Sequence, residues 1–99
     1  MVLIKIIETE IENSIINLNM QPVQQFKIRM YVKSVILGSK LTNTNSRDLT
    51  STDLIKVSKL IDKTIIGLNT AETDPKIKQA VFRLLIYYLS KLVHLKWQI

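Results

Sequence analysis

Basic side chains recur at helical spacing in two separate stretches of this sequence. In the first, Arg29, Lys33 and Lys40 fall within about 40° of one another at 100° per residue, with Gln25 beside them. In the second, Arg83, Tyr87, Lys91 and His94 share a side with Lys76. Cations interleaved with an aromatic ring can contact phosphates and stack on a base, which is the chemistry of sequence-independent DNA or RNA binding. Two other uses fit the same residues. They can form a solvated face that keeps a very apolar chain soluble, or they can pair with acidic segments, within one chain or across a dimer. No helix-turn-helix, zinc-finger or RNP-type signature accompanies them.

Other chemistry finds few residues. Glu8 and Glu12 share a helical face while Glu10 points away, and Lys5 beside them reads as an ordinary exposed charge pair rather than paired acid and base. His94 is the single histidine and there is no cysteine. Thiol catalysis, disulfides and Cys-based zinc sites are thereby excluded. The sequence has no Gly-rich phosphate loop, no Gly-x-Ser-x-Gly elbow and no His-Glu-x-x-His pair. The expectation is a protein without enzymatic activity, metal, cofactor or small-molecule substrate.

Four segments with helical periodicity must position these residues. Ile4, Ile7, Ile11, Ile15 and Leu18 form one stripe. The β-branched run Val2–Ile7 also suits a strand, but the continuing stripe favours a helix. A second helix is expected from Pro22 to about Leu41. It has Phe26, Met30, Leu37 and Leu41 on one stripe, Ile28, Tyr31 and Val35 on another, and Gly38 weakening its last turn. The third opens at Thr50-Ser51-Thr52-Asp53, carries Leu54, Val57, Ile61, Ile65 and Leu68, and should stop near Gly67 or Asn69. The fourth starts at Asp74-Pro75 and has the widest apolar arc: Ile77, Val81, Phe82, Leu84, Leu85, Tyr88, Leu89, Leu92, Val93 and Leu95. Asn17–Gln21, Thr42–Asp53 and Asn69–Asp74 read as connectors. An all-α, antiparallel, bundle-like four-helix domain spanning 1–99 follows.

Composition agrees. Ninety-nine residues bound one core. An apolar content of 46% excludes a disordered chain. Apolar residues 2–7 are followed by Glu8, Glu10 and Glu12, which makes a poor signal peptide, and no apolar run approaches the 20 or so residues of a spanning helix. A cytoplasmic, reducing setting fits best.

Shifting the chain by fifty lays Ile15-Ile16-Asn17-Leu18-Asn19 over Ile65-Ile66-Gly67-Leu68-Asn69, Ile11 over Ile61 and Glu12 over Asp62. After a six-residue slip, Phe26-Lys27-Ile28 meets Phe82-Arg83-Leu84, Tyr31 meets Tyr87, Ser34 meets Ser90, and Ile36-Leu37 meets Leu92-Val93. Chance matching among common Ile, Leu and Lys is the competing account. Charge alternates in step: residues 1–25 carry −2, 26–47 carry +5, 48–75 carry −2 and 76–99 carry +5, giving the net +6. The expected plan is two related helical hairpins, 1–49 and 50–99.

Ile6, Ile16, Val32, Ile36, Ile55 and Ile66 lie off the main stripes. They are candidates for an interface, because so small a core cannot bury every apolar residue. A homodimer, or an accessory subunit docked on a protein partner, would cover them. An amphipathic membrane-surface face is the weaker use.

The Ile-, Lys- and Asn-heavy vocabulary, as in Ile6-Ile7-Glu8-Thr9-Glu10-Ile11-Glu12-Asn13-Ser14-Ile15-Ile16-Asn17, together with the absence of Cys, resembles the small uncharacterised proteins of hyperthermophilic Sulfolobales archaea and their filamentous or rod-shaped DNA viruses. The likeness covers the whole chain as composition and carries no motif. It implies a compact, thermostable protein of host takeover or genome handling, in the host cytoplasm where the chain is viral. No catalytic residue carries over from it.

Overall fold

The computed structural model describes residues 3–97. Four helices follow one another: α1 (Lys5–Ile16), α2 (Pro22–Ser39), α3 (Ser51–Ala71) and α4 (Pro75–Lys96), with a short 3-10 turn at Ser46–Asp48 between α2 and α3. The fold is all-α. Each of the last three helix starts has a visible cause. At α2 the Gln21 N–H donates to Gln24 Oε1 at 2.9 Å, with Pro22 inside the first turn. Thr50 and Asp53 form a reciprocal capping box at α3, each backbone N–H donating to the other's side-chain oxygen. Asp74 caps α4 by accepting from the Lys76 N–H at 2.9 Å, and Pro75 follows it.

Three boundaries differ from expectation. The first helix begins only at Lys5, because Leu3 makes an antiparallel bridge with Asn45 and the Ile4 N–H donates to the Thr44 carbonyl at 3.0 Å. Val2 lies outside the described residues. α2 ends at Ser39, and Lys40 after it adopts the left-handed conformation (φ 58°). Gly38 is helical, and a Cβ there would meet Leu60 at 3.4 Å. α3 runs through Gly67 and Asn69 to Ala71, since neither residue leaves helical geometry.

One core unites all four helices, centred on Ile7, Ile11 and Ile15, on Ile28, Val32 and Val35, on Val57, Ile61 and Leu68, and on Ile77, Val81, Leu85, Tyr88 and Leu92. The polar 42–53 connector is pinned to it by buried Leu41 and Leu49. α2 and α4 pack directly on each other and each also packs on both α1 and α3, while α1 and α3 share no packed surface. Gln24 reaches Asp74 at one end of the central pair and Ser39 reaches Tyr88 further along, so α2 and α4 run side by side in the same direction. Sequential neighbours are antiparallel, as in an up-down-up-down bundle. Exchanging α1 with α3 and α2 with α4 leaves this pattern of neighbours unchanged. The overall extents are 40 × 25 × 18 Å.

Of the two apolar stripes on α2, the one through Ile28 and Val35 is the core face. Ile28, Val32, Val35 and Ile36 point inward, whereas Phe26, Met30 and Leu37 are exposed. Val32 (0% exposed) and Ile36 (6%) are thus core residues and not interface candidates. Periodicity marks both faces equally. What selects between them is that α2 has packed neighbours on three sides, and the inward face carries the branched, compact side chains that fill such a space.

Candidate interaction surface

Of the predicted cationic sites, half are engaged within the chain. Arg29 Nε donates to Glu12 Oε1 on α1 at 2.8 Å. The Tyr87 hydroxyl donates to Glu10 Oε2 at 2.6 Å, a bond that also raises its pKa. Lys91 Nζ lies 5.5 Å from the Tyr87 ring centroid. Tyr87 therefore has its hydroxyl tied and a cation already over its ring, which leaves it poorly placed to stack on a base. Lys33, Lys40 and Arg83 are exposed. They do not form one patch, because Lys33 and Lys40 belong to α2 and Arg83 to the outer side of α4.

The same contacts consume the acids. Glu8 accepts from Thr42 Oγ1 at 2.9 Å, Glu10 and Glu12 are held as above, and Asp53 and Asp74 serve as caps. Glu72 is buried and accepts from the Asp74 N–H, with Lys27 Nζ 4.0 Å away. Among the described residues, Arg29 and Lys27 alone of the arginines and lysines approach a carboxylate within 4.0 Å. Hydrogen bonds and caps thus hold most of the acids, which keep their charge, and leave a surplus of lysines without a carboxylate partner. Lys56, Lys59 and Lys63, which line a shallow depression on α3 with Ile55 and Leu60, belong to this surplus. They escape a reading by charge blocks because 48–75 sums to a negative charge, although its acids sit mainly at caps and turns.

Between these cations lies apolar surface. On α2, Val23 (68% exposed), Phe26 (58%), Met30 (56%) and Leu37 (67%) form one stripe. At 100° per residue it occupies about 60° of the outer face, with Lys33 on one edge and Lys27 on the other. Three of these four belong to one of the two stripes that periodicity marks on this helix. α4 carries a similar outer stripe of Phe82, Ile86, Val93 and Trp97. Ile6, Ile16, Ile55 and Ile66 are exposed as expected. They are scattered, however: Ile6 and Ile16 sit about 80° apart around α1, and Ile55 and Ile66 about 16 Å apart along α3.

Beside the α2 stripe runs a groove of about 350 Å³ between α1 and α2, bordered by Leu37, Lys33, Glu12 and Thr42. Glu8 sits in its wall. Burial pushes the Glu8 carboxyl pKa up, against the opposing pull of the Thr42 hydrogen bond and of Lys5. Its Oε2 is buried without a partner. Burial likewise raises the pKa of the Tyr88 phenol, which shares a 3.2 Å hydrogen bond with Ser39. Among the described residues no group of three or more acidic or histidine side chains converges, and no helix is long and apolar enough to cross a membrane.

The chain matches no protein-family model, no curated protein and no solved structure. The functional reading therefore rests on this surface alone.

Proposed function

We propose that this protein is a non-enzymatic docking module that binds a protein partner through the outer stripe of α2. One observation carries the reading. Val23, Phe26, Met30 and Leu37 remain exposed in line on a helix whose opposite face is fully buried. Large apolar side chains in a contiguous row, rimmed by charge, mark a surface that another molecule covers. The rim is basic, and α2 contains no Asp or Glu, so an acidic partner complements it. A homodimer through this face would set cations against cations, which makes a different, acidic protein the better occupant.

Display selection of random helical peptides on the full-length protein tests the reading. The expected outcome is enrichment of amphipathic peptides with acidic flanks, lost when Phe26→Glu and Met30→Glu are introduced together. Enrichment that survives those substitutions, or none at all, contradicts it.

A second reading, sequence-independent nucleic-acid binding, draws support from the unpaired cations Lys33, Lys40 and Arg83 and from Lys56, Lys59 and Lys63. It predicts binding of duplex DNA or single-stranded RNA that weakens steeply with salt and ignores Met30→Glu. Absence of binding at low salt eliminates it.

A further inference from the structure

The outer face of α4 repeats part of the outer face of α2, from Phe26 to Leu37 but not at Val23 or Lys33, which fall opposite Gln79 and Leu89. At a constant offset of fifty-six residues, Phe26 corresponds to Phe82, Lys27 to Arg83, Met30 to Ile86, Ser34 to Ser90 and Leu37 to Val93. Exposure repeats with identity: 58% and 50% at the phenylalanines, 56% and 41% at Met30 and Ile86, 67% and 38% at Leu37 and Val93. The surroundings repeat as well. Each helix packs on the other and on both α1 and α3, and each stripe borders a groove. On the α2 side this is the groove beside Leu37; on the α4 side a groove of about 550 Å³ between α3 and α4 is lined by Phe82, Ile65 and Leu68. Because the two parallel helices touch through their inner sides, their outer faces look away from each other.

We infer that these faces are two equivalent docking sites, so that one chain bridges two acidic amphipathic helices. The inference rests on the docking reading above and extends it to partner class and stoichiometry. The form of the partner follows from the site. The α2 stripe steps by three, four and seven residues, about 21 Å at 1.5 Å per residue, and the α4 stripe by four, seven and four. A helix laid in the adjoining groove meets such a row with its own residues at i, i+4 and i+7. Its charge follows from α2 and α4, neither of which contains an acidic residue, against Glu8 and the Arg29-paired Glu12 in the wall of the α1–α2 groove. That excess of cations opposes a second copy of this chain and favours Asp and Glu on the incoming helix.

The single tryptophan reads one site selectively. Trp97 is 73% exposed at the end of α4 and lines a depression with Leu89, Val93 and His94. Its emission should respond to occupancy of the α4 face and not of the α2 face.

The probe is a designed 18-residue helical peptide with Leu at i, i+4, i+7 and i+11 and Glu on both flanks, titrated calorimetrically into the full-length protein while Trp97 emission is followed. Two peptides per chain are expected. Phe26→Glu should leave one peptide per chain with the emission change intact. Phe82→Glu should leave one and abolish the emission change. The double variant should bind at least tenfold more weakly. Both phenylalanines are half-exposed, so folding should persist, with circular dichroism as the check and Met30→Glu and Ile86→Glu as second variants. One peptide per chain, lost in Phe26→Glu alone, overturns the bridging inference and leaves the docking reading standing, whereas one lost in Phe82→Glu alone overturns both. No peptide bound by the unmodified protein overturns both. Binding of vesicles of neutral and anionic phospholipid (7:3), lost in the variants while the peptide fails to bind, overturns both in favour of a membrane surface.

Discussion

Glu12 on α1 accepts a 2.8 Å hydrogen bond from the guanidinium of Arg29 on α2, with both side chains about one-third exposed. This contact joins the acidic first helix to the basic second one. It is one of several that take carboxylates out of circulation, together with Glu10 beneath Tyr87, Glu72 near Lys27 and the capping aspartates. In a chain of net charge +6, most lysines are thereby left without a carboxylate within 4.0 Å. Internal pairing and an outer cationic rim are two results of one charge pattern.

The Glu12–Arg29 pair should contribute modestly to stability, because partial exposure screens it. In a double-mutant cycle with Glu12→Gln and Arg29→Met, the coupling energy is expected at about 0.5–1 kcal/mol. Chemical denaturation of the four proteins measures it. A coupling of zero would separate the pair from the hairpin's stability.

The two faces of α2 should respond oppositely to truncation. Val32→Ala, on its inner face, and Leu85→Ala, on the facing α4, remove fully buried side chains. Expected losses are about 1–3 kcal/mol for the valine and about 2–5 kcal/mol for the leucine. Met30→Ala and Phe26→Ala touch exposed side chains and should stay within about 0.5 kcal/mol. Denaturant midpoints decide the matter. Equal losses on both faces would mean that the outer stripe is also packed.

Glu8 should make stability pH-dependent. Burial raises its folded pKa above the ordinary value of 4.5, so the folded chain holds the proton more tightly than the unfolded chain. Its contribution is therefore greatest below about pH 4.5 and is lost as pH rises through the raised folded value. Glu8→Gln keeps an acceptor for Thr42 and removes the charge. The melting temperature of the natural protein should fall relative to Glu8→Gln between about pH 4.5 and pH 7. A difference constant with pH would remove Glu8 as the cause.

Gly67 lies within α3, and a methyl group added to its Cα would meet nothing within 4 Å. Gly67→Ala should stabilise the chain by about 1 kcal/mol, through helix propensity. Gly38→Ala should gain less, since its Cβ would press Leu60 at 3.4 Å. Thermal melts compare the two. A loss on Gly67→Ala would imply that α3 ends earlier than Ala71.

Much of the fold is legible in the sequence, for identifiable reasons. Asp74-Pro75 and Thr50–Asp53 announce two helix starts, because caps are local chemistry written in adjacent residues. The wide apolar arc of α4 also takes in Phe82 and Val93, which are exposed, but the inner stripes of α1 and α3 are readable because one apolar face dominates each helix. That of α2 is not, since Phe26, Met30 and Leu37 repeat as regularly as Ile28, Val32 and Val35. Only the packing of three neighbours decides which row turns inward. The candidate site is half legible for the same reason. Arg29, Tyr87 and Lys91 look like free ligands until the partners Glu12 and Glu10 arrive from α1, 17 residues from Arg29 and 77 from Tyr87. Lys40 ends α2 in a left-handed conformation that its residue type does not advertise.

An apolar stripe between cationic edges should select an acidic amphipathic helix over a basic one. The most direct measurement is the affinity of the full-length protein for the Leu/Glu peptide, set against the same peptide with every Glu replaced by Lys, at low and high salt. At least tenfold tighter binding of the acidic peptide is expected at low salt, with the gap narrowing as salt rises. Equal affinity for the two peptides, or preference for the basic one, would contradict acidic-helix docking on this surface.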